Sequence, residues 1–211
     1  VVPCDTFITE ATFALPIYRW PDTRAVAAEI AAWRRECAQR GEAAVLLCYA
    51  LGKAQRVLAE LRAVDDQPAW LHGAIANGVA VYRQAGVPML DTLTVAEQGR
   101  QPDAAGQLIL APPSAAGSSW MRRFGDYSDA FASGWMRLRG TRRRRGVDRG
   151  FVLSDHADWP GLLWAIEQTG AERVMVTHGS VGVLVRHLRE KGLDAQGFTT
   201  EYGDDEEEAT A

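Results

Sequence analysis

His156 and His178 each follow a short apolar run, and imidazole is the side chain suited both to moving protons near neutral pH and to holding a divalent metal. His156 stands in Ser154-Asp155-His156-Ala157-Asp158 and His178 in Thr177-His178-Gly179. At both places the chain carries polar residues where apolar ones would pack more cheaply. Carboxylates orient imidazoles and help to hold metals, so Asp155 and Asp158 turn the His156 segment into a candidate site, with Asp155 counted as a catalytic acid. Glu10 closes a strand-like run and, taken alone, reads as a strand-end acid making a hydrogen bond. The ordinary alternative for either imidazole alone is a structural histidine. His72 lacks an acidic setting, and His187 sits with Arg186 and Arg189 on what reads as a solvated helix face.

A second kind of chemistry is suggested by groups that hold phosphate. Gly52-Lys53-Ala54-Gln55 opens a helix after a buried strand, where backbone amides, Lys53 and Gln55 are placed to meet an anion. Plain turn chemistry accounts for the glycine equally well. Arg137, Arg139, Arg142, Arg143, Arg144, Arg145 and Arg149 put seven arginines within thirteen residues, with Arg122 and Arg123 shortly before. A guanidinium fork fits phosphate oxygens better than an ammonium does, and a solvated charged loop is the plainer reading of the same run. Ser133 and Gly134 mark a point where backbone can approach a nucleic acid closely. Trp120, Trp135 and Trp159 are candidates for stacking on bases, against the commoner role of core packing.

The elements that must position these groups alternate in type. Asp22 caps a helix to Gln39 with Val26, Ile30, Trp33 and Cys37 on one face and Gly41 just beyond it. A buried strand over 43–49 follows, then a helix with Val57, Leu58, Leu61 and Val64, a short Trp70-Leu71 strand, and a helix bearing Ile75, Val79 and Tyr82. Residues 107–111 form a strand, 118–124 a short helix and 129–136 a strand before the arginine run. The last third predicts strands over 150–153, 173–176 and 195–202, with helices over 161–168 and 181–190. Strands alternating with helices imply a parallel sheet, whose carboxyl edge is where ligands bind. Cys4 to Thr9 also looks like a strand already under way, so the start at Val1 reads as an interior cut.

Composition limits the class. The chain has 211 residues, 47% of them hydrophobic and 24% charged, enough to bury a core. Its longest apolar run, Ala43 to Leu51, is well short of the roughly 18 residues of a membrane span, so no membrane partner is expected. Cys4, Cys37 and Cys48 show neither paired nor zinc-ribbon spacing, which points to a reducing cytoplasm. Net charge is −4, from 23 basic and 27 acidic residues, but Asp204 to Glu208 form an acidic block in a tail expected to be disordered. Without that block the body is close to neutral.

The runs SDHADWPGL (154–162) and VMVTHG (174–179) resemble the β-CASP branch of the metallo-β-lactamase-fold nucleases. DTFITEATFALPIYRWP (5–21), YALGKAQRVL (49–58) and FASGWMRLRG (131–140) resemble the same branch, closest to the bacterial exonucleases associated with DNA ligase. The five segments occur in the family order from Asp5 to about Tyr202. The resemblance implies an α/β fold in which a β-CASP domain, a parallel sheet with helices, is inserted into a metallo-β-lactamase αββα sandwich. Residues 1–21 and 141–203 would belong to the sandwich, 22–140 to the β-CASP domain and 204–211 to the acidic tail.

The resemblance also implies roles. Glu10 is the acid of the first β-CASP motif, His156 the histidine of the second and His178 that of the third. His178 would ligate one of two zinc ions, while His156, oriented by Glu10, would stabilise or protonate the departing oxygen. Lys53, Gln55, Ser133, Gly134, Arg137, Arg139 and Arg142 to Arg145 are the candidates for nucleic-acid contact. The implied function is zinc-dependent exonucleolytic hydrolysis of DNA in the bacterial cytoplasm, linked to repair or ligation, with a DNA ligase as a candidate partner. RNA is the substrate alternative, since other β-CASP branches process it. The family's HxHxDH motif, its further histidine and its bridging aspartate precede the strand ending at Glu10 and do not occur in this sequence. The expectation is therefore the carboxyl-terminal part of a nuclease, from a truncated or split enzyme without the N-terminal half of its sandwich and inactive in isolation. A nucleic-acid-binding module without catalysis is the reading from another class.

Overall fold

β-branched and aromatic residues make Thr6–Ala11 the first strand, β1. Asp22 then caps α1 (Thr23–Arg40): its Oδ1 accepts from the Ala25 amide at 2.9 Å, and Gly41 ends the helix in the left-handed conformation at φ 73°. The chain continues through β2 (Ala43–Leu47), α2 (Lys53–Leu61), β3 (Ala69–Leu71), α3 (Gly73–Gln84), β4 (Thr92–Thr94), β5 (Leu108–Ala111) and β6 (Tyr127–Ala132). After these come α4 (Arg139–Arg145), β7 (Arg149–Phe151), α5 (Trp159–Thr169), β8 (Arg173–Gly179), α6 (Val181–Glu190) and β9 (Asp194–Gly197). This is a computed structural model, and it describes residues 1–198 apart from the side chain of Arg142. Every strand pair is parallel, and the class is α/β. Among the described residues no helix is long and apolar enough to cross a membrane.

The chain divides into two units. Pro21–Asp155 holds a six-stranded sheet in the order β4-β3-β5-β2-β6-β7. β2 is central and buried on both faces, which is why it reads as an unbroken apolar run rather than an alternating one. Ala44, Leu46 and Cys48 join a core with Ile30, Trp33 and Leu58, while Val45 and Leu47 join a second core with Ile109, Phe131 and Met136. Arg34 is buried in α1 yet satisfied: it bonds Asp65 at 3.1 Å and donates to the carbonyls of Gln67, Pro68 and Gly106. Such a buried guanidinium is tolerated because its donors are used.

The second unit comprises residues 1–20 and 156–198. Its parallel sheet has the order β1-β8-β9, and Trp159, Leu162, Ile166, Val174, Val176 and Leu184 fill its core. β1 runs beside β8 from Thr6 opposite Arg173 to Glu10 opposite Thr177; the register then shifts, so that Ala11 faces Gly179. His178 is the extra residue of this bulge.

The structure departs from the sequence pattern at several points. The run 129–136 is not one strand: β6 stops at Ala132, and the Ser133 hydroxyl accepts from the Trp135 amide at 3.3 Å, turning the chain into a 3-10 turn over Gly134–Arg137. The arginine run is a helix, α4, rather than a loop. β7 pairs with β6, Gly150 opposite Phe131, so the six-stranded unit extends to Asp155 and not only to Gly140. β8 runs on through His178, where the sequence pattern predicts a loop. β4 has no counterpart in the pattern, being three residues long and only partly buried. The final predicted strand is β9 up to Gly197, and its remainder from 199 to 202, like the acidic tail, lies outside the described residues.

Candidate functional site

Glu10 is the penultimate residue of β1, and its side chain is fixed from two sides. The Thr12 amide donates to Oε2 at 2.6 Å, and Oε1 lies 3.3 Å from Nδ1 of His156. Burial raises the carboxyl's pKa, but the hydrogen bonds with His156 and Thr12 outweigh it and hold Glu10 below the usual carboxylate range. An ionised Glu10 only accepts, so it favours a proton on Nδ1 of His156.

The segment between β1 and α1 holds the His156 backbone in place. Trp20 Nε1 donates to the His156 carbonyl at 2.9 Å, and the Trp20 amide donates to Asp158 Oδ2 at 2.7 Å. Asp158 also caps α5 through the Gly161 amide at 2.9 Å, and the Trp159 amide bonds the Tyr18 carbonyl. Phe13 lies edge-on to the His156 ring, to Tyr18 and to Trp20, with centroids 5.8, 4.9 and 4.9 Å away. Sequence reasoning singles out Asp158 beside this imidazole, but not Phe13 and Trp20. The signal available for them is the spacing of aromatics before Pro21.

His178 stands at the end of the strand adjacent to Glu10's own. It is the one described non-glycine residue with positive φ, at 52°, and Gly179 follows at 75°. A β-carbon at Gly179 would lie 2.5 Å from the Ala11 carbonyl oxygen and 2.6 Å from Thr12 Cα, so only glycine fits. The Ser180 amide closes the turn on the Ala11 carbonyl at 2.9 Å. A bulge re-aims a side chain from the alternation of its strand, and here it sets the histidine apart from the pleat of β8. Among the described residues, no three His, Cys, Asp or Glu side chains are grouped to hold a metal ion. A zinc site takes three or four protein ligands, so the described donors do not by themselves fit one.

The phosphate candidates are placed differently from the expectation. Lys53 is 2% exposed, and its Nζ lies 2.5 Å from Asp155 Oδ1 and over the Tyr49 ring. Asp155 therefore carries an ion pair to α2, whereas Glu10 is the acid placed against the imidazole. Arg56 holds the Ser154 carbonyl beside this pair, and a β-carbon on Gly52 would stand 3.1 Å from Asp155 Oδ2. Gln55 is buried against Gly78, where Nε2 donates to the Ala50 carbonyl at 3.0 Å and Oε1 has no partner. Ser133 and Gly134 are buried in the turn after β6. None of these four presents an exposed side chain to a ligand. Cys48, beneath the Lys53 pair, is fully buried with its thiol pushed up to about 12, and so is no nucleophile at neutral pH.

The arginines disperse around a helix. Arg139 and Arg143 share an exposed face one turn apart. Arg144 bonds the Thr141 hydroxyl at 3.4 Å, Arg145 lies 4.6 Å over the Phe131 ring, and Arg149 pairs with Glu36 at 2.7 Å. Arg137 is exposed, and the Arg142 side chain lies outside what is described. Trp159 belongs to a core. His72 caps α3, accepting the Ala74 amide on Nδ1 at 3.0 Å, and burial lowers its pKa.

No family model matches the chain. It is similar to a curated protein of Opitutus terrae named "Probable DNA ligase", with 32% identity over 203 residues that cover 92% of this chain and 19% of that protein. The chain thus spans about a fifth of the length of the curated relative it matches.

Proposed function

We propose that this chain is part of a β-CASP nuclease of the metallo-β-lactamase fold that hydrolyses phosphodiester bonds in DNA, working from strand ends in a process linked to ligation. The observation that carries the reading is the Glu10–His156 pair, assembled from the end of β1 and the segment before α5, 146 residues apart, with the six-stranded unit inserted in the chain between the paired strands β1 and β8. On this reading the inserted unit is the β-CASP domain and the three-stranded unit part of the sandwich. The similarity to a protein named as a DNA ligase supports DNA as the substrate. Glu10 holds Nδ1–H of His156, and in its imidazolium form, which the ionised Glu10 stabilises, His156 delivers the Nε2 proton to the departing oxygen or stabilises its charge. Zinc belongs to this reading as well, with His178 as the donor this chain offers; the described residues do not complete the set. That incomplete set favours a second reading, a nucleic-acid-binding segment whose catalysis depends on residues elsewhere.

Two measurements test the proposal. The 211-residue chain, dialysed and analysed for metal, should retain far less than one zinc; stoichiometric zinc would reveal a different ligand set. In a metal-replete, active form, His156→Ala should lower DNA cleavage by about 10²- to 10⁴-fold while zinc content stays unchanged, and His178→Ala should lower both. Loss of zinc from His156→Ala would overturn the assignment of roles.

A further inference from the structure

The amino-terminal edge of the six-stranded sheet carries a feature that none of the roles above uses. There, Arg100, Gln101, Ser119, Arg122 and Arg123 line an open cavity of about 570 Å³. A second cavity of about 400 Å³ shares Gln101, Arg122 and Arg123 and reaches Gly41, Ala105 and Asp126, which precede β2, β5 and β6. Among the described residues none of the three guanidinium groups has a hydrogen bond or an ion pair. Arg34, Arg40, Arg149, Arg173 and Arg186 each hold a carboxylate, and among the described arginines without a partner these three are the ones that share a cavity wall. Three cations gathered on one cavity without a counter-charge repel one another, and a bound anion relieves that repulsion.

We infer that this cavity seats the sugar-phosphate backbone of a single DNA strand, an inference that rests on the DNA reading above. The guanidinium forks match phosphate oxygens, and Gln101 and Ser119 add neutral hydrogen-bonding groups along the same wall. The wall has no aromatic and no aliphatic residue, which a site for a free nucleotide would need to hold the base. Continuity into the second cavity suits a chain of phosphates better than a single one. Asp103 and Asp126 line only that second cavity, which places the anion-binding groups at Arg100, Arg122 and Arg123.

The test is fluorescence anisotropy of labelled dT20 across a salt series. It compares the parent chain with R100Q/R122Q/R123Q and with R24Q/R35Q/R62Q, a control that removes the same charge from exposed sites elsewhere. The cavity variant should bind at least about tenfold more weakly at low salt. Its slope of log affinity against log salt should be shallower by about 0.7 for each phosphate that the protein no longer neutralises, so by roughly 2 if all three arginines engage one. The control should stay close to the parent. Equal losses in both variants would mean that net charge alone acts, and an unchanged cavity variant would remove the site while leaving DNA binding intact; either result overturns the inference and spares the DNA reading. No binding by the parent would overturn both. Inorganic pyrophosphate is the competing probe: arginine-dependent binding of pyrophosphate without binding of dT20 would make this a free-phosphate site and sink the strand assignment. Thermal melts of all three proteins show whether the variants fold.

Discussion

Each unit places one acid–base pair at the carboxyl ends of its parallel strands, and the two pairs differ in almost every physical respect. Lys53 and Asp155 meet at 2.5 Å with the lysine side chain 3% exposed, whereas Glu10 and His156 meet at 3.3 Å with side chains 33% and 45% exposed. The first pair is closed and locks a loop against a helix, with the Arg56–Ser154 bond and the close fit over Gly52 around it. The second is partly exposed to solvent: its acid is fixed and its imidazole is oriented. In sequence both look alike, as polar residues just after an apolar strand. Burial separates a group that holds the fold together from one available for chemistry.

The largest effect should come from breaking the closed pair. Asp155→Ala leaves the Lys53 ammonium buried and without its carboxylate, and should cost about 3–5 kcal/mol in urea unfolding. Lys53→Met should cost clearly less, about 1 kcal/mol, because the remaining carboxylate is over a third exposed and can be hydrated. Equal costs would mean that the asymmetric burial does not matter. Gly179→Ala comes next. It forces a left-handed conformation on alanine and drives a β-carbon into the Ala11 backbone, for about 1–3 kcal/mol from conformation alone plus the displacement. A melt unchanged from the parent would show that the bulge relaxes freely.

On the open pair, His156→Ala should change stability by no more than about 0.5 kcal/mol, in contrast to its expected effect on cleavage. A loss comparable to that of Asp155→Ala would erase the distinction between the two pairs. The smallest effect depends on pH. Glu10's carboxyl is held below its ordinary value of 4.5, so its contribution is fully present above that pH and is lost as pH falls through the lower folded-state value. Glu10→Gln should therefore lower stability slightly at neutral pH and converge on the parent as pH falls through the folded-state value, which flattens the acid limb below about pH 4.5. A variant whose loss appears only in acid, with neutral pH unaffected, would contradict this sign.

Much of the architecture is legible in the sequence because local chemistry and packing agree. Asp22 and Gly41 bound α1 as cap and left-handed end, and Val26, Ile30, Trp33 and Cys37 all face the core. What is not legible depends on distant partners. That Asp155 turns to Lys53 follows from the positions of β2 and β7 in the sheet, which no local pattern encodes. Arginine is a good helix former, so α4 is a fair alternative to a charged loop, but the contact of Arg145 with Phe131 depends on β6 passing beneath it. His178 looks like a loop residue because polar residues and a glycine follow an apolar run; only the register of β1 on β8 and the positive φ at His178 show the bulge. Arg122 and Arg123 are visible as charges, whereas the cavity they share with Arg100 is not.

The pairing of β1 has a consequence for the order of events during synthesis. Thr6 is opposite Arg173, so β1 leaves the ribosome early, while its partner strand arrives only after the whole six-stranded unit has been made. Closing so long a loop costs chain entropy before any contact compensates it, whereas 21–155 contains all the strands of its own sheet. The inserted unit should therefore form before β1 meets β8, as domains do on emerging chains. Glu10 and His156 meet only then, which delays assembly of the open pair until nearly all of the described chain has been synthesised.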